Sequence, residues 1–489
     1  MSTPRGMFTM NNEDKNFSFL SLLALAVFLV AMLVSSVQAA DKESNSLNPT
    51  QKLARDIFRE LIEIKTTHAF GATRAAEAMA NRLRAAGFSD NDIHVLGPLP
   101  NKRNLIVRLR SSGKARPVLF LAHLDVVDAR PEDWTIDPFK LLERDGYFYG
   151  RGTTDVKDEA ADLIVNLIRL RKEGYAPKRD IVVALTDDEE AGGDTNGVAW
   201  LMANHRNLID AEYCINTDGG SGDMRNGRHV LLEIQTGEKV YVSFQLEVKN
   251  RGGHSSLPVK DNAIYRLAQG LVGLSRFEFP VRLNDTTRTF FERMAGRELG
   301  QLAEDMIAVA RPAVEMQAAD RLASSSAYYN ALMRTTCVAT LLSGGHAENA
   351  LPQTARATVN CRLLPDDSAE KVQQTLEQVL ADSQIVVSLI NKPRPSPLSP
   401  LRKEVVDAAE QITKEMWPDA TIAPVISTGA TDGVYLRRAG TPVYGVSGMF
   451  IDIDDTRAHG RDERIGVKEF YEGIEFMYRF MKALTSTKP

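Results

Sequence analysis

Histidines and carboxylates stand in this sequence where apolar runs stop, which is where a folded chain can gather them. His123-Leu124-Asp125 follows the apolar residues 118–122. Alternation along an extended chain puts both polar side chains on one side. A carboxylate there can accept the second N–H of a metal-bound imidazole, fixing its tautomer and raising its basicity. Residues 149–155 read Tyr-Gly-Arg-Gly-Thr-Thr-Asp; the glycines allow a tight backbone approach, and Asp155 enters a helix, where a plain N-cap is the simpler alternative. Apolar residues 181–185 run into Thr186-Asp187-Asp188-Glu189-Glu190-Ala191-Gly192-Gly193. Four successive acids repel one another. A solvated turn could hold them, but the apolar strand and the Gly-Gly pair favour a cation. Asp218 follows the short run 213–216, and His459 stands in Ala458-His459-Gly460-Arg461-Asp462-Glu463. Two histidines and three carboxylates match the ligand inventory of a two-zinc site with one bridging carboxylate, and Glu189, beside a ligand, can act on water there. The chain has no His-Glu-x-x-His and no Gly-x-Ser-x-Gly, which removes the single-zinc helical protease and the commonest serine-hydrolase readings.

The elements that must position these residues are legible in the periodicity. Residues 51–61, 71–86, 159–173 and 197–204 are apolar at helical spacing. Runs 104–109, 118–122, 180–185 and 213–216 read as strands. Such alternation predicts an α/β fold: a mixed, mainly parallel sheet flanked by helices, with ligands at the carboxyl ends of its strands. The texture changes near Glu238. Strands at 240–249, 335–342, 354–363 and 385–389, with helices at 263–274 and 368–381, predict an inserted two-layer α+β domain. Proline-rich residues 392–400 read as the hinge back to a helix at 402–416 and strands at 423–426 and 443–446. The expected organisation is residues 48–238 and 393–489 for the catalytic domain and 239–392 for the small one. A helical insertion, 282–329, is expected within the small domain.

Composition narrows the function. At 489 residues, two or more domains are expected. Lys+Arg 59 against Asp+Glu 64 leaves −5, with no basic excess for nucleic-acid phosphates. Three cysteines cannot build a disulfide framework or a four-thiolate zinc site. Residues 17–34 are uncharged and apolar, and Val37 and Ala39 suit a secretory cleavage site. Residues 1–39 therefore read as a signal peptide of a periplasmic or secreted protein, with an uncleaved membrane anchor as the alternative.

The ordered motifs HLD, GRGTTD, TDDEEAGG, NTDGG, GGHSSLP, GGHAENALP and AHGRDE, from about residue 50 onward, resemble the di-zinc family of glutamate carboxypeptidase, succinyl-diaminopimelate desuccinylase and aminoacylase. The resemblance implies a zinc exopeptidase-like catalytic domain with an inserted lid and dimerisation domain, binding two Zn2+ per subunit, with Co2+ or Mn2+ as substitutes. It implies that His123 and Asp218 complete one zinc, Glu190 and His459 the other, and Asp155 bridges them, with a cis peptide after Asp155. Asp125 would orient His123 and Glu189 would be the general base. His254 would reach across a homodimer to steady the oxyanion. Asn349 and Arg362 would hold the substrate, the arginine suiting a free carboxylate, and the loop from Gly429 to Thr431 would offer it backbone N–H groups. The sequence departs from the family at Asp155-Val156-Lys157-Asp158, where Asp-Met-Lys-Gly is common, so helix entry there is expected to differ. Cys337 and Cys361 fall on strands expected to pair; a disulfide and two buried thiols both stay open.

The expected function is an exported zinc-dependent hydrolase cleaving an amide or peptide bond next to a free carboxylate, of carboxypeptidase or dipeptidase type. An N-acyl-amino-acid amidohydrolase is the alternative. A non-catalytic binding protein on the same scaffold would call for loss of Glu189 or a ligand, and all are present. A cobalt or manganese aminopeptidase would call for an acid that recognises a free amine.

Overall fold

Strand Arg179–Thr186 is buried along nearly its whole length, as is the second half of Ala115–His123, the pattern of parallel strands covered on both faces. The computed structural model describes residues 47–486; the leader expected at 1–39 lies outside the described residues. These fall into a short N-terminal unit ending at Asp56 and a main unit from Ile57. In the first, Asn48 and Gln51 exchange side-chain and backbone hydrogen bonds of 3.0 and 2.9 Å at the start of helix Pro49–Glu63.

In the main unit, strands Arg179–Thr186, Ala115–His123, Tyr213–Asn216 and Val443–Gly445 run parallel side by side. Antiparallel strands extend this block. Lys102–Leu109 and Ile93–Leu99 lie beyond Arg179–Thr186, and Arg228–Glu238 and Gly222–Arg225 lie beyond Val443–Gly445. Phe450–Asp452 and Thr421–Ser427 complete a 10-stranded sheet. The register pairs His123 with Thr186 and Leu121 with Asn216. Three strands therefore end at one edge, where the sequence places its histidine and acids. Helix Lys157–Lys172, buried over most of its length, is tied to helix Val467–Ser486 by Asn166 Nδ2, which donates to Ile474 O at 3.0 Å.

Strand Arg228–Glu238 escapes the sequence reading because charged residues interrupt it. Its polar side chains instead find partners: Glu238 pairs with Arg437 at 2.7 Å and Glu233 accepts from Tyr328 at 3.2 Å. After Lys239 alone, the chain enters the small domain. There Thr336–Gly344, Thr354–Leu363, Val240–Lys249 and Val386–Leu389 form an antiparallel sheet. Helices Ala263–Arg276 and Ala369–Leu380 contribute Leu267 and Leu376 to a core with Phe244 and Val359. Cys337 faces Cys361 across two paired strands and the two form a disulfide, while Cys214 is a buried free thiol.

The insertion 282–329 corrects one expectation. Its helices do not join the small domain's core. Phe290, Phe291, Met306 and Leu322 share a core with Leu231, Ala423 and Val425 of the large sheet. The outer strands Arg228–Glu238 and Thr421–Ser427 need an apolar cover, and the insertion supplies it. Contiguity along the chain pointed to the wrong domain.

If this cover is integral, Phe291→Ala costs about 3–5 kcal/mol in denaturant unfolding. The solvent-exposed Leu299→Ala changes stability by less than about 0.5 kcal/mol. Equal effects would show the insertion to be loosely attached.

Candidate metal centre

The parallel strands deliver the site from their carboxyl ends. His123 closes one strand, Asp187 to Glu190 follow Thr186, and Asp218 comes two residues after Asn216. Asp155 arrives from elsewhere, on the tight loop before helix Lys157–Lys172. Gly152 has φ +89°, and a Cβ there would meet Val126 Cγ1 at 2.9 Å, so this turn requires glycine. The Asp155–Val156 peptide is cis. Lys157, between the divergent Val156 and Asp158, is buried and donates to Leu61 O and Ile64 O at 2.8 and 2.9 Å; burial pushes its ammonium down to about 7.

Asp155 joins the two histidines. Its Oδ1 lies 3.1 Å from His123 Nε2 and its Oδ2 lies 3.0 Å from His459 Nε2. His459 Nε2 is also 3.0 Å from Glu190 Oε1, and His123 Nε2 is 3.8 Å from Asp218 Oδ1. Nitrogen and oxygen donors about 2.0–2.1 Å from a tetrahedral zinc lie roughly 3.3 Å apart, so both sets of separations fit a shared cation. Charge points the same way. His459 is pushed up to about 10 by its hydrogen bonds to Asp155 and Glu190. His123 rises although burial opposes it, because Asp155, Asp218 and Asp125 face it. Burial and the charges of Asp155 and Glu190 push Asp218 up to about 7 against the pull of His123. The imidazoles hold protons where the acids demand positive charge, and that is the demand a pair of divalent cations meets.

Asp125 acts through a different atom from the one expected. His123 Nδ1–H donates to the Asp125 backbone carbonyl at 2.9 Å, so when the ring is neutral Nε2 is its lone-pair nitrogen. The Asp125 carboxylate, 3.7 Å from the ring, instead accepts the N–H groups of Glu189 and Glu190 at 3.2 and 3.1 Å. Two of the four successive acids are structural. Asp187 accepts from Ala72 N and Asp188 N, each at 2.9 Å, and Asp188 pairs with Lys102 and His68. Glu189 and Glu190 line a cavity of about 560 Å³ with Lys239, Tyr241 and Thr431.

Glu463 is the residue that the sequence reading missed. It is fully buried, and its carboxylate accepts from Thr154 N at 2.8 Å, Gly152 N at 3.2 Å and Arg151 Nη1 at 2.5 Å. Arg151 in turn donates to Gly460 O and His459 O at 3.0 and 3.3 Å. The pair locks the Asp155 loop to the His459 loop. Its signal was present in the AHGRDE motif, but spacing alone does not show which acid of a motif faces inward.

The residues expected to hold substrate are more dispersed. Arg362 is half-buried, donating to Thr428 O at 3.3 Å and lying 4.7 Å over the Tyr241 ring. His254 and Asn349 are exposed at a two-stranded pairing of Gly253–His254 with Ala350–Leu351 in the small domain, where His254 Nδ1 pairs with the Ser256 hydroxyl at 2.7 Å and Asn349 O accepts from Ser255 N at 3.0 Å. The loop corrects another expectation. Gly429 N donates to Ser427 Oγ at 3.0 Å and Thr431 N to Glu238 Oε2 at 2.9 Å. Both N–H groups are satisfied inside the chain, the Thr431 one by the buried Glu238, which needs donors.

The model of peptidase family M20/M25/M40 matches residues 119–483. The chain belongs to this family. It is 28% identical over 383 residues to human N-fatty-acyl-amino acid synthase/hydrolase PM20D1, covering 76% of this chain and 75% of that protein. It is 26% identical over 414 residues to carboxypeptidase S of Saccharomyces cerevisiae, covering 75% and 71%. The fold matches that of the M20 metallo-carboxypeptidase Sso-CP2 of Sulfolobus solfataricus with a TM-score of 0.66 at 17% identity, over 88% of this chain and 98% of that one. It also matches the Bacillus subtilis YXEP protein, described as a dinuclear metal-binding M20 peptidase, with a TM-score of 0.56 at 13% identity, over 90% and 99%. As an M20 member the chain is a metallo-hydrolase acting on peptide or amide bonds, and His123, Asp155 and Glu190 are its grouped candidate ligands.

In Glu463→Ala, the buried Arg151 loses its carboxylate, which costs about 3–5 kcal/mol in denaturant unfolding. Metal affinity, read by equilibrium dialysis, falls about 10–100-fold as the two loops loosen. Unchanged affinity would show that the ligands hold their places without this clamp.

Proposed function

We propose that this M20 enzyme is an exported hydrolase that cleaves an amide or peptide bond beside a free carboxylate, of carboxypeptidase or dipeptidase type. The observation that carries the reading is the Asp155 carboxylate shared by His123 and His459, with Glu189 beside Glu190 on an open cavity. Two divalent ions, Zn2+ or substituting Co2+ or Mn2+, held by His123 and Asp218, by Glu190 and His459, and by Asp155 between them, would supply Lewis acidity to the scissile carbonyl and the attacking water. The Asp125 carbonyl keeps the His123 Nε2 lone pair pointing at the centre. The Asp125 carboxylate fixes the backbone of Glu189 and Glu190, aiming the two side chains. Glu189 takes the proton of the attacking water and delivers it to the leaving nitrogen. Arg362 binds the substrate carboxylate: its fork carries five N–H donors, and the Thr428 carbonyl takes one of them.

A homodimer through the small domain is part of the reading. Val338, Leu341 and Leu342 are exposed on the edge strand Thr336–Gly344, and Tyr265 is exposed on the neighbouring helix Ala263–Arg276. An edge strand of this kind is a template for pairing. His254 and Asn349 would then serve the partner's centre. Export is supported by the disulfide, which persists in oxidising compartments. The N-acyl-amino-acid amidohydrolase reading is kept as the second, favoured by the name of the human relative.

Glu189→Gln should keep its metal and lose about 10²–10⁴-fold in kcat; turnover at the wild-type rate would overturn its role as base. A screen of metal-loaded enzyme against dipeptides and N-acyl amino acids should find cleavage with free C-termini and little with amidated ones. Arg362→Leu should raise KM for the free acids. Equal cleavage of amidated substrates would overturn carboxylate recognition.

A further inference from the structure

Asp155 and Asp218 also form one wall of a second cavity, of about 260 Å³. Its other walls carry Asp158 and Glu159 from the first turn of helix Lys157–Lys172, and Glu233 from strand Arg228–Glu238. Among the described residues, no lysine or arginine lines it. Asp158 and Glu159 are 1% and 3% exposed, and Asp158 Oδ1 and Glu159 Oε2 lack a hydrogen-bond partner. The other Glu159 oxygen accepts from the Ser447 hydroxyl. Buried carboxylates without partners are costly, and this chamber holds three acids that the metal centre does not use.

Two divalent ions would not compensate them. Their four positive charges fall short of the five carboxylates Asp125, Asp155, Glu189, Glu190 and Asp218, so none remains for Asp158, Glu159 and Glu233. Burial and the charge of Asp223 push Glu233 up to about 8, the direction expected of an acid without a cationic neighbour. Size then limits the missing cation. One water needs about 10–15 Å³ in the same measure, so the chamber has room for a chain of several carbons rather than a bare ion.

We propose that this chamber is a subsite for a cationic organic group of the substrate, a protonated amine or guanidinium on a side chain or at a free amino terminus, with Glu233 as the acid that selects it. The insertion takes part. Tyr328, in its last helix, Ala327–Met333, donates to Glu233 Oε1 at 3.2 Å, and Phe290 and Phe291 share the core of Leu231 on the same strand. The insertion thus holds the selecting acid in place, which gives residues 282–329 a role in specificity. For its substrate the proposal rests on the hydrolase reading above.

The test is calorimetric binding to zinc-loaded Glu189→Gln protein with two matched probe pairs. N-acetyl-lysine against N-acetyl-norleucine reads a side-chain amine, and alanyl-leucine against propanoyl-leucine reads a terminal one. The amine-bearing member of at least one pair should bind about tenfold tighter, the scale of one charge-assisted hydrogen bond. Glu233→Gln on the same background should reduce that ratio to within about threefold, while Glu233→Asp keeps more of it by retaining the charge. Ratios near one in both pairs, or a ratio that Glu233→Gln leaves intact, overturn the proposal; the first outcome needs no further variant to fold. Turnover of the same compounds by wild-type enzyme separates the two readings. An amine preference in binding without any hydrolysis sinks the hydrolase reading alone, and hydrolysis without an amine preference sinks the chamber alone.

Discussion

The structure turns on one carboxylate shared between two imidazoles. Asp155 presents one oxygen to His123 and the other to His459. It links the half built on the parallel strands to the half carried by the C-terminal loop, and Glu190, 3.0 Å from the same His459 nitrogen, makes a second link. Asp218 stands on the His123 side and Glu190 on the His459 side. Packing so many acids together is unfavourable unless positive charge is held among them, and the raised histidines and Asp218 record that demand. The arrangement therefore makes sense as a cation centre, and the family assignment agrees with it.

Everything around Asp155 serves to hold it still. Parallel pairing brings His123, Asp218 and the Glu189–Glu190 turn to one edge with no choice left to the loops. The Asp125 carboxylate then braces the turn through two backbone N–H groups. Glu463 and Arg151 make the corresponding brace on the other side. These supports are buried and charge-assisted, hence stiff. By contrast, His254 and Asn349 are exposed where two short strands of the small domain pair, away from these supports.

The parallel strands and their terminal acids were legible in the sequence because apolar runs ending in charged residues reflect burial directly. The fold class followed from that alternation, and the family resemblance placed the small domain. What escaped was whatever depends on contacts far apart in the chain. Residues 228–238 hid a strand because their polar side chains are satisfied by Arg437 and Tyr328, about a hundred to two hundred residues away. The insertion went to the wrong domain because no local pattern shows which sheet a helix covers. Four successive acids looked like one cluster, yet Asp187 and Asp188 are consumed by Ala72, Lys102 and His68. The Gly429–Thr431 loop gives its Thr431 N–H to Glu238, a partner about two hundred residues away in the chain that no local pattern shows.

The acids of this chain offer a second place where metal could gather: Asp125, Asp187 and Asp188 also lie close together. That rival makes the central claim directly testable. Crystals of metal-loaded enzyme, measured at the metal's absorption edge, should give two anomalous peaks on either side of the Asp155 carboxylate, one beside His123 and Asp218 and the other beside Glu190 and His459. A single peak, or a peak among Asp125, Asp187 and Asp188, would contradict the account of a centre built on one shared carboxylate.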